Sequence, residues 1–142
     1  MNRKVLLTIT SVVAFAIGSF AIVAPDVLIT NVKHAAPSDT ANVMLRTVGI
    51  LLIAIAILDY LVRNHEDSPT MRSILIANLA LQLGIMPIDP SAYASGVFKE
   101  LGSFAPNTVL HVLLAAGFAY NVAKTRVPSG YRRTQAPNVQ IP

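Results

Sequence analysis

Residues 43–62 read VMLRTVGILLIAIAILDYLV. The only charges in this run are Arg46 and Asp59, one toward each end, and no charged or amide side chain lies between them. A helix rises about 1.5 Å per residue, so about 20 residues cross a hydrocarbon core of about 30 Å. Lipid offers the backbone no hydrogen-bond partners, and a single segment satisfies its own N–H and C=O groups only as a helix. The stretch therefore predicts a transmembrane helix, and it sets the class of the whole chain.

Three further apolar runs flank it, at 5–24, 73–87 and 106–122. The third run is the shortest and fits a tilted or thin span. The composition agrees: of 142 residues, 54% are hydrophobic and 13% charged, with a mean hydropathy of +0.58. A soluble domain of this size needs more charge to cover its surface, and a disordered chain carries less apolar bulk. The expected fold class is all-α, an integral membrane four-helix bundle over residues 1–126. A short extended tail follows over 127–142, marked by Pro128, Gly130, Pro137 and Pro142. The first run exceeds a usual signal-peptide core, so it is expected to stay as a span.

Helix boundaries have local signals. Ser38, Asp39 and Thr40 offer N-caps, Ser68-Pro69-Thr70 places proline at the first helical position, and Pro106 suits a first turn. Pro25, Pro87 and Pro90 are expected to stop helices. The connections at 25–40 and 87–105 are long enough for short interfacial segments, with a brief amphipathic turn at 95–101.

Cysteine is absent, which excludes disulfides, thiolate metal sites and cysteine nucleophiles. No nucleotide-binding loop, zinc motif or nucleophile with its base is present. The net charge of +4 reports orientation and contact with anionic lipid rather than nucleic acid. Polar residues inside the spans are therefore the first candidates for function. Arg46 is expected to snorkel, or to pair with Asp26 or Asp39. It lies about 20 Å of helix rise from Asp59, too far to pair with it, and Asp59 is expected to meet Arg63 one turn on. Asn78 and Gln82 share one helix face, and Asn107 and His111 share another. Together these four predict a polar seam between the third and fourth spans. His111 is the one histidine within a span, and a neutral imidazole there could ligate haem or a chlorophyll magnesium. Ala14 with Gly18, and Ala115 with Ala119, have the spacing for close helix packing.

Three quoted stretches carry a resemblance. They are MLRTVGI at 44–50 continuing to LVRN at 61–64, MRSILIANL at 71–79, and LHVLLAAGFAY at 110–120. They resemble small four-helix bacterial membrane proteins of a broadly DoxX-like group, over most of residues 4–124. The resemblance implies a four-helix bundle and supplies no activity, cofactor or catalytic residue.

These readings favour a non-catalytic accessory subunit that packs against other membrane subunits in the lipid bilayer, with no metal and no cofactor. The tail residues Tyr131, Arg132 and Arg133 are the expected partner contacts. The alternatives are a cofactor-binding or redox protein using His111, and a small oligomeric transporter. Lys and Arg concentrate at the amino terminus, in the second connection and in the tail, so both termini are expected on the cytoplasmic side of the inner membrane. A reporter fused after Asn31 and one fused after Arg126 will therefore read opposite sides; the same side for both overturns this topology.

Overall fold

The computed structural model describes residues 2–126. Residues 127–142, with Tyr131, Arg132 and Arg133, lie outside them. The described residues are all-helical. Five helices carry the architecture: α1 (Arg3–Val23), α2 (Asp39–Val62), α3 (Pro69–Ile85), α4 (Ile88–Ala94) and α5 (Ala105–Lys124). Short turns at Pro25–Val27, Leu28–Val32 and Leu101–Ser103 fill the connections. Three segments are long and apolar enough to cross a membrane: Arg3–Val23, Asp39–Val62 and Pro69–Ala94, the last joining α3 to α4. The 20-residue α5 is not one of them. Asn107, Thr108, His111 and Asn121 dilute its apolar run.

Capping sets where the helices begin, and it extends three of them beyond the apolar runs. Asn2 accepts from the Lys4 amide at 3.1 Å, Ser38 from the Ala41 amide at 3.2 Å and Ser68 from the Met71 amide at 3.1 Å. Each cap satisfies an amide that the helix itself leaves free. The helices therefore start at Arg3, Asp39 and Pro69, ahead of the apolar runs, and the last two starts lie at the caps expected from Ser38 and Ser68. Pro25 follows the end of α1 at Val23 as expected and also opens a short helical turn, whereas Pro90 stops no helix and lies inside the first turn of α4. A proline there removes an N–H that has no intrahelical partner. The turn expected at 95–101 is instead the end of α4. Gly96, at φ 77°, donates to the Tyr93 carbonyl while Val97 donates to Ala92, a closure that favours glycine at the left-handed position.

The long helices associate as two antiparallel pairs, α1 with α2 and α3 with α5. The α1–α2 seam is built from small residues. Ser11, Ala14, Gly18 and Ala21 of α1 are buried, as are Gly49 and Ala56 of α2. The Ser11 hydroxyl donates across the seam to the Ala56 carbonyl at 2.7 Å. At its centre the backbones meet: a Cβ on Gly18 would fall 2.7 Å from the Gly49 carbonyl oxygen, and one on Gly49 2.7 Å from that of Gly18. Ala14 and Gly18 thus lie on the packing face that their spacing predicts. On α5, Ala115 is buried but Ala119 is exposed.

The two pairs join at one end. Leu6 and Leu7 of α1 pack there with Met71 and Leu75 of α3 and Leu114 and Phe118 of α5. Asp67, in the α2–α3 connection, closes this end from outside. It forms an ion pair with Arg3 and accepts from the Arg126 amide at 3.3 Å. Toward the other end the pairs diverge and leave a cavity of about 410 Å³.

The glycine contact generates a test. Gly49→Val should destabilise the fold by about 1–3 kcal/mol, because the added carbons overpack a backbone contact. Gly84→Ala, where an added Cβ meets nothing within 4 Å, should be neutral or stabilising by up to about 1 kcal/mol. Unfolding in mixed micelles measures both, and equal effects would show that the seam tolerates the extra bulk.

Candidate functional site

The polar side chains of the long helices do not form one seam. They divide into three clusters along the helices. The most buried joins α2 to α3. Asp59 is 0% exposed, as buried as Phe118. It accepts from Asn78 Nδ2 at 2.9 Å, and the same nitrogen reaches the Ile74 carbonyl at 3.2 Å. Asp59 Oδ2 and Asn78 Oδ1 are both buried without a partner among the described residues. The expected Asp59–Arg63 contact is absent there. Arg63 instead donates to the Tyr60 carbonyl and lies over the Tyr60 ring, 3.3 Å from its centroid. Asp59 is taken up by Asn78 of α3, whereas Arg63, the C-cap residue, folds back along the surface of its own helix.

One turn farther along α3, Gln82 faces α5. Its Oε1 lies 2.5 Å from His111 Nδ1. With Oε1 as the acceptor, the imidazole proton sits on Nδ1 and Nε2 keeps a lone pair. This is the part of the expected seam that the structure brings together.

The third cluster lies at the diverging end. Asp89 of α4 pairs with Lys33 at 2.5 Å and accepts from Asn107 Nδ2 at 2.8 Å. Lys33 also lies over the Phe98 ring, 5.2 Å from its centroid. Asn107 therefore belongs with α4 and the α1–α2 connection rather than with Asn78. Arg46 is exposed and makes no ion pair among the described residues. Asp26, one of its two expected partners, instead accepts from Asn42 Nδ2 at 2.7 Å.

Gln82, Asn107, His111, Lys33 and Ser103 all line the 410 Å³ cavity. The rest of the wall is mainly apolar, from Ile17 of α1, Leu52 and Ile55 of α2, and Leu110 and Leu114 of α5. Ser103 is 2% exposed, and its hydroxyl has no partner among the described residues. Sequence reasoning missed Lys33, Asp89 and Ser103. Asp89 stands between prolines in a connection, and nothing near Ser103 marks it.

Haem ligation at His111 would use Nε2. His34 and His65 lie outside the long helices, in the first and second connections, so neither supplies a second ligand from a facing span. No group of three or more His, Cys, Asp or Glu residues suited to a metal ion occurs among the described residues. No protein-family model, no curated protein and no solved structure matches the chain.

The Asp59–Asn78 pair yields a test. Asn78→Leu removes the one donor to a buried carboxyl group and should cost about 1–3 kcal/mol. Asp59→Leu combined with Asn78→Leu should recover most of that loss, because no polar group is then left unpaired. Unfolding of the two single variants and the double variant forms a complete cycle, and a strictly additive result would remove the coupling.

Proposed function

We propose that the chain is an integral membrane protein of four transmembrane helices, α1, α2, α3 and α5, acting as a non-catalytic accessory subunit of a larger membrane complex. Both ends lie on the cytoplasmic side of the inner membrane. Arg3, Lys4, Arg63, Arg72 and Lys124 support that orientation, since all fall at the helix ends on one side of the fold. The resemblance to small DoxX-like bacterial proteins belongs to this reading and rests on the quoted apolar stretches alone.

The observation that carries the accessory role is the outward face of α2. This helix has 24 residues but buries only Gly49, Ala56 and Asp59. Val43, Thr47, Ile50, Ala54, Ile57 and Leu61 are all exposed. They follow one another in alternating steps of four and three, the spacing with which one helix presents a continuous seam to another. Ala54 at the middle permits close approach. Arg46 stands beside this stripe, available to a carboxylate of a neighbour or to a lipid headgroup. The interior polar groups support a structural role, since Asp59, Asp89 and His111 all hold neighbouring helices. The tail residues Tyr131, Arg132 and Arg133 add a second partner contact on this reading.

Ala54→Trp keeps the stripe apolar and insertable but places a large ring where a partner helix would pack. In pull-downs from native membranes it should lower recovery of partner subunits by on the order of tenfold, about 1.4 kcal/mol. Leu113→Trp, at an exposed position of α5, should leave recovery unchanged. Equal recovery from both variants would count against the stripe as the docking face.

A further inference from the structure

The cavity between the helix pairs has the features of a built ligand site, and the packing role proposed above does not use it. Its volume of about 410 Å³ falls in the range of small-molecule sites, which are typically apolar with a few placed polar groups. The polar groups here are specific. The Ser103 hydroxyl is buried and unpartnered, and a buried hydroxyl in a native fold ordinarily has a partner. Gln82, 4% exposed, has its oxygen engaged by His111 and keeps its amide N–H groups as donors. His111 keeps Nε2 as an acceptor. Thr10, on the opposite part of the wall, already donates to the Leu6 carbonyl at 2.9 Å, so it adds no free donor.

Charge selects among amphiphiles. Among the described residues Lys33 is the one cation lining the cavity, and Asp89 neutralises it at 2.5 Å. A carboxylate or phosphate head would enter without a free counter-charge and would meet the Asp89 side. Burying an unpaired charge is costly. A neutral head with both an oxygen acceptor and an O–H donor fits instead. Its oxygen accepts from Ser103 or Gln82, and its proton goes to His111 Nε2.

We infer that the cavity between the α1–α2 and α3–α5 pairs binds a neutral, hydroxyl-headed, single-chain lipid. The head sits among Ser103, Gln82 and His111, and the chain runs between the diverging helices toward Leu114. Over that path α5 advances from Asn107 to Leu114, about 10 Å of helix rise, so a chain of medium length suffices.

The test uses the full chain in phosphatidylcholine nanodiscs with three photoreactive probes: 1-decanol, decanoate and decyl phosphate, each with a diazirine on the chain. The 1-decanol probe should label cavity positions such as Leu52, Ile55 and Leu114, and unlabelled 1-decanol should compete. Labelling by the two anionic probes at these positions should be at least about tenfold weaker, as expected where a charge would be buried unpaired. Ser103→Ala should lower apparent affinity about fivefold, the size of one hydrogen bond. Leu52→Trp, which fills the apolar part, should abolish competed labelling with the helical circular-dichroism signal retained. Labelling confined to outward positions such as Leu61 and Leu113 would overturn the proposal. So would equal or better labelling by either anion, or an unchanged affinity in Ser103→Ala. The outward stripe of α2 is not touched by these variants, so loss of the cavity reading leaves the docking reading to be judged by its own pull-down.

Discussion

Backbone can touch backbone between two helices only where neither carries a side chain. Gly18 and Gly49 provide that meeting point, and the rest of the arrangement depends on it. With the two axes fixed close together at mid-length, Ser11 can reach the Ala56 carbonyl. Asp59, one turn beyond Ala56, is carried inward against α3. In lipid, packing and hydrogen bonds rather than water exclusion hold helices together, so on the membrane reading proposed above such a close contact carries more of the association than it would in a soluble protein.

From that fixed pair the shape follows by residue size. At the closed end, Leu6 and Leu7 pack with Met71, Leu75, Leu114 and Phe118 into one buried cluster that joins α1 to α3 and α5. At the other end, the α1–α2 pair is still held close, but the facing positions on α3 and α5 include Gln82, Asn107 and His111, which turn toward each other or toward Asp89. Apolar side chains across the gap do not reach one another, and the pairs separate. The same polar residues that hold α3, α4 and α5 together thus leave the space beside α1 and α2 unfilled.

Much of the architecture was legible in the residues. Ser68 and Pro69 marked a helix start, the Ala14–Gly18 spacing marked a packing face, and three of the four expected spans fall in segments long and apolar enough to cross a membrane. Gln82 and His111 could be paired because each lies on the face that its neighbour's i, i+4 spacing defines. Asp59 with Asn78 could not be. The i, i+4 rule offered Arg63, but α3 brings Asn78 against Asp59 and Arg63 folds onto Tyr60 instead. Asn107 was placed in one seam with Asn78, Gln82 and His111 for want of knowing that α4 would place Asp89 beside it. That placement depends on Pro90 being accommodated in a first turn, where a reading of proline as a breaker sees a loop. Ser103 carried no signal at all, because its burial is a property of three elements meeting and not of its own neighbourhood.

Asp67 has one further consequence, for the order in which the molecule completes itself on the ribosome. The α1–α2 hairpin needs only residues already synthesised when α2 emerges, and its glycine contact and the Ser11 bond can form at once. The α3–α5 hairpin is made later and docks on it through Phe118 and Leu114. Asp67 can hold Arg3 early, but its second oxygen waits for the amide of Arg126, which leaves the ribosome only after every described helix. The first and last described turns are thus fastened at one carboxylate.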